Sequence, residues 1–230
     1  MNQTEYKIEL VRGHILVTDD RGSKVLLDTG SPLSFHADGV VALGGETFGV
    51  PISLMGTDWS YVTDNVGIRV DGLVGMDILA EGVLIDVPGG RVVLGHPADG
   101  MTRVPSRPVF GYMSADMEIR GRRATVIIDT GAPTSYVSTT LTEGLEAVDT
   151  VEDFNPSVPG GTFTTPIYEF PAAFAGEGFP MRAGTLPLLM RATLTLLGVD
   201  GVVGMELLRR RPVLIADGGV WIGEEPGCED

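Results

Sequence analysis

The chain has 230 residues, of which 43% are hydrophobic and 20% charged, with 32 glycines and 15 prolines. This composition is typical of a folded protein rich in turns and excludes a disordered chain. The formal net charge of −15 argues against nucleic acid and anionic membrane surfaces as partners. The single cysteine, Cys228, cannot form an internal disulfide. Residues 1–10 lack the apolar core of a secretory signal, so we expect a cytoplasmic protein.

Two stretches of the sequence occur twice, in the same order. Residues 24–32 match residues 125–133 at an offset of 101 positions, and in both copies an apolar run leads into Asp-Thr-Gly. Residues 71–79 match residues 200–208 at an offset of 129 positions, and both copies contain a Gly-Met pair. Because self-similarity on this scale indicates a repeated structural unit, we interpret the chain as a tandem duplication.

Each half is predicted to begin and end with strands. Two strands about a turn come first, near Gly22 in the first half and near Gly121 in the second. Two antiparallel strands come last, because glycine pairs at residues 89–90 and 218–219 each separate two apolar runs.

Helix is scarce in the predicted elements. Short helices are expected near Met76 and near Met205, each directly after a glycine, and a third is expected over residues 139–145. The fold is therefore predicted to be all-β with short helices.

A boundary between the halves is predicted between His96 and Pro108, where several prolines and glycines interrupt any strand or helix. The predicted organisation is an N-terminal lobe (residues 1–98), a linker (residues 99–108) and a C-terminal lobe (residues 109–230).

The two Asp-Thr-Gly motifs, with Asp28 and Asp129, stand where an apolar strand is predicted to break into a tight turn. Each is followed by its Gly-Met block. At these residues the sequence resembles the aspartic proteases, and each half is similar to one retropepsin subunit. The resemblance implies a bilobal fold of two β-barrel-like lobes with a cleft between them. It also implies that Gly75 and Gly204 belong to ψ-shaped loops that close around the motifs.

The resemblance implies a role for each motif residue. Peptide hydrolysis of this kind needs one carboxylate that takes a proton from water and one carboxylic acid that donates a proton to the scissile carbonyl oxygen. Two close carboxyls share a proton, and Asp28 and Asp129 suit those roles. Loop support is expected from the flanking residues, Thr29, Gly30, Ser31, Thr130, Gly131 and Ala132, with the two threonines bonded to one another.

The difference between Ser31 and Ala132 leads to a further expectation. A serine hydroxyl that bonds the carboxylate of its own motif favours the ionised form. Asp28 should then be the more readily ionised partner, and Asp129 the usual holder of the proton. The alternative is a plain interchange of serine and alanine without effect on ionisation.

The expected function is an aspartic endopeptidase that binds an extended polypeptide and acts as a monomer, because both aspartates lie in one chain. We expect no cofactor and no metal, since His14, His36 and His96 lack ligand spacing; surface or satisfied core positions are the expectation for all three. Two alternatives stay open: a non-catalytic peptide-binding or adaptor protein on the same fold, and a self-processing regulatory protease.

The two halves differ in the length of the segment between the Asp-Thr-Gly motif and the glycine of the Gly-Met block. Asp28 and Gly75 are 47 positions apart, whereas Asp129 and Gly204 are 75 apart. The longer segment contains a predicted hairpin tip at Pro159, Gly160 and Gly161, so the C-terminal half is predicted to supply the principal flap over the cleft. The alternative is a short N-terminal flap that caps the cleft with Trp59 or Tyr61.

Overall fold

The computed structural model describes residues 3–54, 56–155 and 161–224, and the statements below concern those ranges. Outside these ranges lie two residues of the predicted hairpin tip, Pro159 and Gly160, and the single cysteine, Cys228.

The described chain is mostly β-strand. The elements up to residue 94 are β1 (Thr4–Lys7), β2 (Glu9–Val11), β3 (His14–Thr18), β4 (Lys24–Leu27), β5 (Phe35–His36), β6 (Val40–Leu43), β7 (Glu46–Gly49), β8 (Ser53–Leu54), β9 (Thr57–Asp58), α1 (Trp59–Val66), β10 (Gly72–Val74), α2 (Met76–Leu79), β11 (Val83–Asp86) and β12 (Arg91–Leu94). The later elements are β13 (Thr102–Val104), β14 (Ser106–Val109), β15 (Tyr112–Ile119), β16 (Arg122–Ile128), β17 (Ser135–Val137), α3 (Thr139–Thr142), β18 (Asp149–Phe154), β19 (Thr162–Phe174), β20 (Glu177–Gly184), α4 (Leu188–Leu197), β21 (Gly201–Val203), α5 (Met205–Leu208), β22 (Val213–Ala216) and β23 (Gly219–Ile222).

Three large sheets organise the molecule. One sheet lies in the first half, in the order β2-β3-β4-β10-β5, and a second lies in the later half, in the order β14-β15-β16-β21-β17-β20-β19-β18. The third sheet, β1-β12-β11-β22-β23-β13, contains strands of both halves. The halves join where β11 pairs antiparallel with β22 and Val83 lies opposite Ile215. The predicted terminal strand pairs are confirmed as β11 with β12 and β22 with β23.

The expectation that prolines exclude strands between His96 and Pro108 was wrong. Strand β13 pairs with β23, and strand β14 pairs with β15. Pro105 lies between the two strands, and Pro108 lies in β14, which is the edge strand of its sheet. An edge strand tolerates proline because one of its sides needs no N–H donor. The boundaries of the two lobes and the linker remain a prediction.

The predicted helices near Met76 and Met205 are confirmed as α2 and α5, and α3 covers part of the predicted stretch at residues 139–145. Helices α1 and α4 were not predicted. Helix α1 begins after Asp58, whose carboxylate accepts hydrogen bonds from the Ser60 and Tyr61 N–H groups, and such a cap is a recognisable start signal. Helix α4 begins after Pro187 without a side-chain cap, and none of its residues is buried.

The main hydrophobic core draws its buried residues from both halves, for example Leu27 and Ile85 from the first and Ile128 and Ile215 from the second. Within the described ranges, no helix is both long enough and apolar enough to cross a membrane.

Candidate active site

The two Asp-Thr-Gly motifs occupy matching places in the two halves. Asp28 follows the last residue of β4, and its N–H donates to Val74 O in the parallel strand β10 at 2.9 Å. Asp129 follows the last residue of β16, and its N–H donates to Val203 O in the parallel strand β21 at 3.0 Å. In each half, a buried parallel strand pair therefore presents an aspartate at its end.

The threonines of the motifs bond the two halves together. The Thr29 N–H donates to Thr130 Oγ1 at 2.9 Å, and the Thr130 N–H donates to Thr29 Oγ1 at 3.0 Å. Each hydroxyl then donates across the boundary, from Thr29 to Ile128 O at 2.8 Å and from Thr130 to Leu27 O at 2.7 Å. Both side chains are fully buried. The expected mutual bonding of the threonines is present in the structure.

The motif glycines let the two carboxyls approach each other. A Cβ atom on Gly131 would lie 2.5 Å from Asp28 Cγ, and a Cβ atom on Gly30 would overlap the Asp129 carboxyl. Each carboxyl therefore lies over the glycine of the opposite half, and any other residue at either glycine would displace it.

Backbone donors face each carboxylate. The Gly30 N–H donates to Asp28 Oδ1 at 2.9 Å, and the Gly131 N–H donates to Asp129 Oδ1 at 2.8 Å. Both carboxyls open on a cavity but are otherwise surrounded by protein, and this burial raises the pKa of both. The charge of Asp129 raises the pKa of Asp28 further, well above its usual range. The pair therefore shares a proton and titrates as a unit.

The expected hydrogen bond from Ser31 to the Asp28 carboxylate is absent, so that expectation was wrong, and which aspartate holds the proton stays a prediction. The Ser31 hydroxyl donates to Leu33 O at 2.8 Å instead of bonding the Asp28 carboxylate. The backbone N–H of Ser31 donates to the Asp28 carboxylate, and the backbone N–H of Ala132 donates to the Asp129 carboxylate in the same way. Their side chains therefore give no reason for Asp28 to ionise first.

Gly75 and Gly204 pack against the motif loops as expected. A Cβ atom on Gly75 would lie 2.7 Å from Ser31 O, and one on Gly204 would overlap Ala132 O. The N–H groups of these glycines donate to serine hydroxyls, Gly75 to Ser34 Oγ at 2.8 Å and Gly204 to Ser135 Oγ at 3.1 Å. These contacts hold the later Gly-Met block of each half against its own motif loop.

A cavity of about 360 Å³ opens above the two aspartates. Residues from both halves line it, among them Phe35, Leu54 and Tyr61 from the first half and Tyr112, Tyr136 and Phe163 from the second. A cleft between the lobes is therefore present at the place where the motifs meet.

Strands β18 and β19 form a long hairpin beside this cavity. Phe154 and Asn155 at the end of β18 line the cavity, and the Asn155 N–H donates to Gly161 O at 2.8 Å. From the first half, Tyr61 of α1 donates its hydroxyl to Gly161 O at 3.3 Å, and its ring lies 6.0 Å from that of Phe154. Both halves thus contribute to one wall of the cavity, and the principal flap stays a prediction. Trp59 is 36% exposed and is absent from the described lining of the cavity.

Sequence reasoning missed His14 and Tyr112, which both line the cavity. Each follows a turn with positive φ at both residues, Arg12-Gly13 in the first half and Phe110-Gly111 in the second. A Cβ atom on Gly13 would lie 2.8 Å from Pro133 Cβ, and one on Gly111 would lie 3.1 Å from Pro32 Cβ. Each turn therefore packs on the proline that follows the Asp-Thr-Gly of the opposite half. The signal available in the sequence was a glycine-containing pair that recurs at matching places in the two halves, Arg12-Gly13 and Phe110-Gly111.

His14 and His36 correct the expectation of surface or satisfied core histidines. They are 3% and 2% exposed, and each has one buried ring nitrogen without a hydrogen-bond partner, Nδ1 in His14 and Nε2 in His36. Among the described residues, no group of three or more His, Cys, Asp or Glu side chains has the arrangement needed for a metal ion.

Comparisons with known proteins give a structural match only. No family model matches the chain, and no curated protein matches it. The crystal structure of an aspartic proteinase from Irpex lacteus is similar over 97% of this chain and 97% of that chain, with a TM-score of 0.55 and 11% sequence identity. The chain therefore has the all-β, bilobal aspartic-protease fold.

Proposed function

We propose that the chain is an aspartic endopeptidase that hydrolyses peptide bonds of an extended polypeptide bound in the cleft. One observation carries the proposal: the carboxyls of Asp28 and Asp129 lie over each other's glycines at the base of a cavity between the halves. The reciprocal bonds of Thr29 and Thr130 hold them there. A buried carboxyl pair is costly for folding, whereas a shared proton is what this chemistry requires.

The proposed roles follow from the ionisation of the pair. Of Asp28 and Asp129, the one that is ionised takes a proton from the attacking water, while the protonated one donates its proton to the carbonyl oxygen of the peptide bond. The backbone N–H groups of Gly30 and Gly131 orient the carboxyls through the oxygens that face their own loops. The two carboxyls also bond each other and border the cavity in which water and substrate would bind.

The same geometry supports a monomeric enzyme that needs no cofactor. Both carboxyls come from one chain, and strands of both halves share a sheet. An extended peptide would gain affinity from main-chain hydrogen bonds to the cleft walls, of which the β18–β19 hairpin is one.

The test is hydrolysis of a peptide library by purified protein, with Asp28→Asn and Asp129→Asn as variants. Each substitution keeps the side-chain shape and removes ionisation, so we expect a loss of turnover of at least about 10²-fold, the lower range for general acid–base catalysis. Asp99→Asn, which removes a charge from an exposed residue, is the matched control and should retain activity.

The alternatives give different outcomes in the same experiment. A non-catalytic peptide-binding protein would leave the whole library intact while it retains peptides in a binding assay. A self-processing protease would cleave only its own chain, and mass spectrometry of wild type beside Asp28→Asn over time would reveal that cleavage. Near wild-type turnover in either aspartate variant would contradict the proposed mechanism.

A further inference from the structure

The position seven residues after each catalytic aspartate candidate differs between the halves. Phe35 stands there in the first half and Tyr136 in the second, and both are buried in the cavity wall. The Tyr136 hydroxyl donates to the carboxylate of Asp153 in the β18–β19 hairpin. Phe35 has no hydroxyl, so the second half has a tethered carboxylate at a place where the first half has an apolar contact.

Asp153 is held at the cavity wall with acceptor capacity to spare. Besides the Tyr136 hydroxyl, it accepts the Phe154 N–H on Oδ1 at 2.8 Å, and a carboxylate offers about four lone-pair sites. Its negative charge reaches its neighbours and helps to raise the pKa of Tyr61, Tyr136 and Asp129, although burial is the larger cause for each. The carboxylate is thus a negative centre in the cleft.

His14 adds a second acceptor beside Asp153. Burial lowers the pKa of His14, so the neutral ring predominates at neutral pH. The Gly131 carbonyl acts as a hydrogen-bond acceptor for this ring, and Nδ1 has no partner. The proton therefore belongs on Nε2, which leaves Nδ1 as an unused, buried acceptor.

Aromatic rings surround these acceptors. The Phe154 ring lies 5.5 Å from that of His14, and the Phe163 ring lies 5.8 Å from that of Tyr136. We call His14, Tyr136, Asp153 and Phe154 the acidic subsite. Rings of this kind suit the aliphatic stem of a long side chain and attract a cation over their faces.

A neighbouring cavity of about 350 Å³ extends the acidic subsite. It shares His14, Asp153 and Phe154 with the main cavity and adds Asp64 and Glu152. Arg12 also lines this second cavity, but its guanidinium donates to Asn65 O at 3.4 Å. The lining of this second cavity thus contains three carboxylates, Asp64, Glu152 and Asp153, and one guanidinium, that of Arg12. Its balance is negative, like that of the whole chain, whose formal charge is −15.

The first half offers the opposite chemistry. Beside His14, Asp28 and Tyr61, its part of the cavity wall contains a group of apolar side chains, which we call the apolar subsite: Leu26, Phe35, Leu54, Val62 and Leu73. A side chain that brings a charge to this wall would lose its hydration without gaining a partner.

We infer that the acidic subsite selects a substrate residue with a cationic hydrogen-bond donor, lysine or arginine, while the apolar subsite takes an uncharged apolar residue. This inference rests on the proposed function, since it names the substrates that the same cleft binds. Asp153 receives the donor, the hydroxyl of Tyr136 positions Asp153, and the neutral ring of His14 brings no competing positive charge.

The experiment uses the full chain and a library of decapeptides that carry lysine, norleucine or glutamate at one position at a time. Norleucine keeps the aliphatic stem of lysine and lacks the ammonium group. At one position, kcat/KM should be about tenfold or more higher for lysine than for norleucine, the scale of a charge-assisted hydrogen bond, and glutamate should be the poorest. Equal values for lysine and norleucine at every position would overturn the inference.

Two variants locate the effect. Asp153→Asn should lower the ratio of kcat/KM for lysine over norleucine at that position by about tenfold. Tyr136→Phe, which copies the residue of the first half, should reduce the same preference. Glu169→Gln removes an exposed charge from β19 of the same hairpin and should leave this ratio unchanged. A preference that survives Asp153→Asn unchanged would contradict the assignment to this carboxylate.

A binding measurement separates this inference from the proposed function. Fluorescence anisotropy of labelled lysine and norleucine peptides with the Asp28→Asn variant reports the subsite without catalysis. Suppose that the wild-type chain hydrolyses no peptide but Asp28→Asn binds lysine peptides selectively, and that adding Asp153→Asn abolishes this selectivity. That result would support the subsite and contradict the endopeptidase. Hydrolysis without any lysine selectivity would do the reverse.

Discussion

The two halves of the molecule agree where they contact each other and differ where each faces the cleft. The bonds between Thr29 and Thr130 are reciprocal, and the turns at Gly13 and Gly111 each pack on a proline of the opposite half. A change on one side of such a contact leaves a buried group without its partner on the other side. Between motif and later glycine the described contact is one-sided, with the Tyr61 hydroxyl donating to Gly161 O. There the halves diverge into a short hairpin with a packed helix and a long hairpin with an exposed helix.

The reciprocal contact predicts the largest effect. Thr29→Val keeps the side-chain shape but removes one donor and one acceptor, which leaves the buried Thr130 N–H and Ile128 carbonyl unpaired. At about 1–3 kcal/mol for each unsatisfied group, the free energy of unfolding should fall by roughly 2–6 kcal/mol in urea denaturation. Thr130→Val should cost about the same. A loss of unfolding free energy in only one of the two variants would show that the two threonines do not contribute equally to the contact.

The two unpredicted helices provide the next comparison. Val66 of α1 is fully buried against Phe35 and Leu73, so Val66→Ala should cost about 2 kcal/mol of unfolding free energy through lost burial and a residual cavity. Leu196 of α4 is 85% exposed, and Leu196→Ala should change stability by less than about 0.5 kcal/mol. The measurement is again urea denaturation. A large cost at Leu196 would show that α4 packs against something in solution.

These helices also mark the limit of what the sequence could predict. The paired motifs and the all-β fold follow from local repeats, because Asp28 and Asp129 stand in matching strings of residues. Helix α1 had a local signal in its cap Asp58, but this segment was considered only as a short N-terminal flap. Helix α4 has no side-chain N-cap and no buried residue, and its local signal was Gly198, which ends the helix in the left-handed conformation.

The position of His14 and the ionisation of the dyad depend on contacts that are distant in sequence. His14 lines the cavity because its turn packs on Pro133, far along the chain. The expected bond of Ser31 failed for a local reason, because its hydroxyl donates to Leu33 O, and two acceptors within reach of one hydroxyl cannot be ranked from the order of residues. A repeat indicates which residues are equivalent, but it does not indicate which partner each side chain chooses.

The dyad itself predicts a pH-dependent effect on stability. Since the pKa of Asp28 is raised in the folded state by burial and by Asp129, the folded chain retains a proton that the unfolded chain loses above its ordinary pKa of about 4. Stability therefore falls as pH rises from that value through the folded pKa. Asp28→Asn cannot ionise, so its Tm should exceed that of wild type by a few degrees at pH 7 and equal it near pH 3.5. Asp99→Asn is the control and should show no such difference. A variant that is less stable than wild type at pH 7 would contradict the raised pKa.

The smallest effect is expected at Ser31, the residue that distinguishes the first motif from the second. Its hydroxyl donates to Leu33 O at 2.8 Å, so Ser31→Ala should cost about 1 kcal/mol of unfolding free energy for the lost hydrogen bond. In this variant the Asp28 carboxyl keeps its backbone N–H donors. The Asp129 carboxyl accepts the equivalent backbone donors next to an alanine, Ala132. The acid limb of the pH profile of kcat/KM should therefore move by less than about 0.2 units, because the ionised form loses no hydrogen bond. The pH dependence of Tm provides the same comparison without a substrate. A shift of half a unit to higher pH in both measurements would mean that the hydroxyl turns to the carboxylate in solution, and the two halves would then differ in the ionisation of their aspartates as well as in their cleft walls.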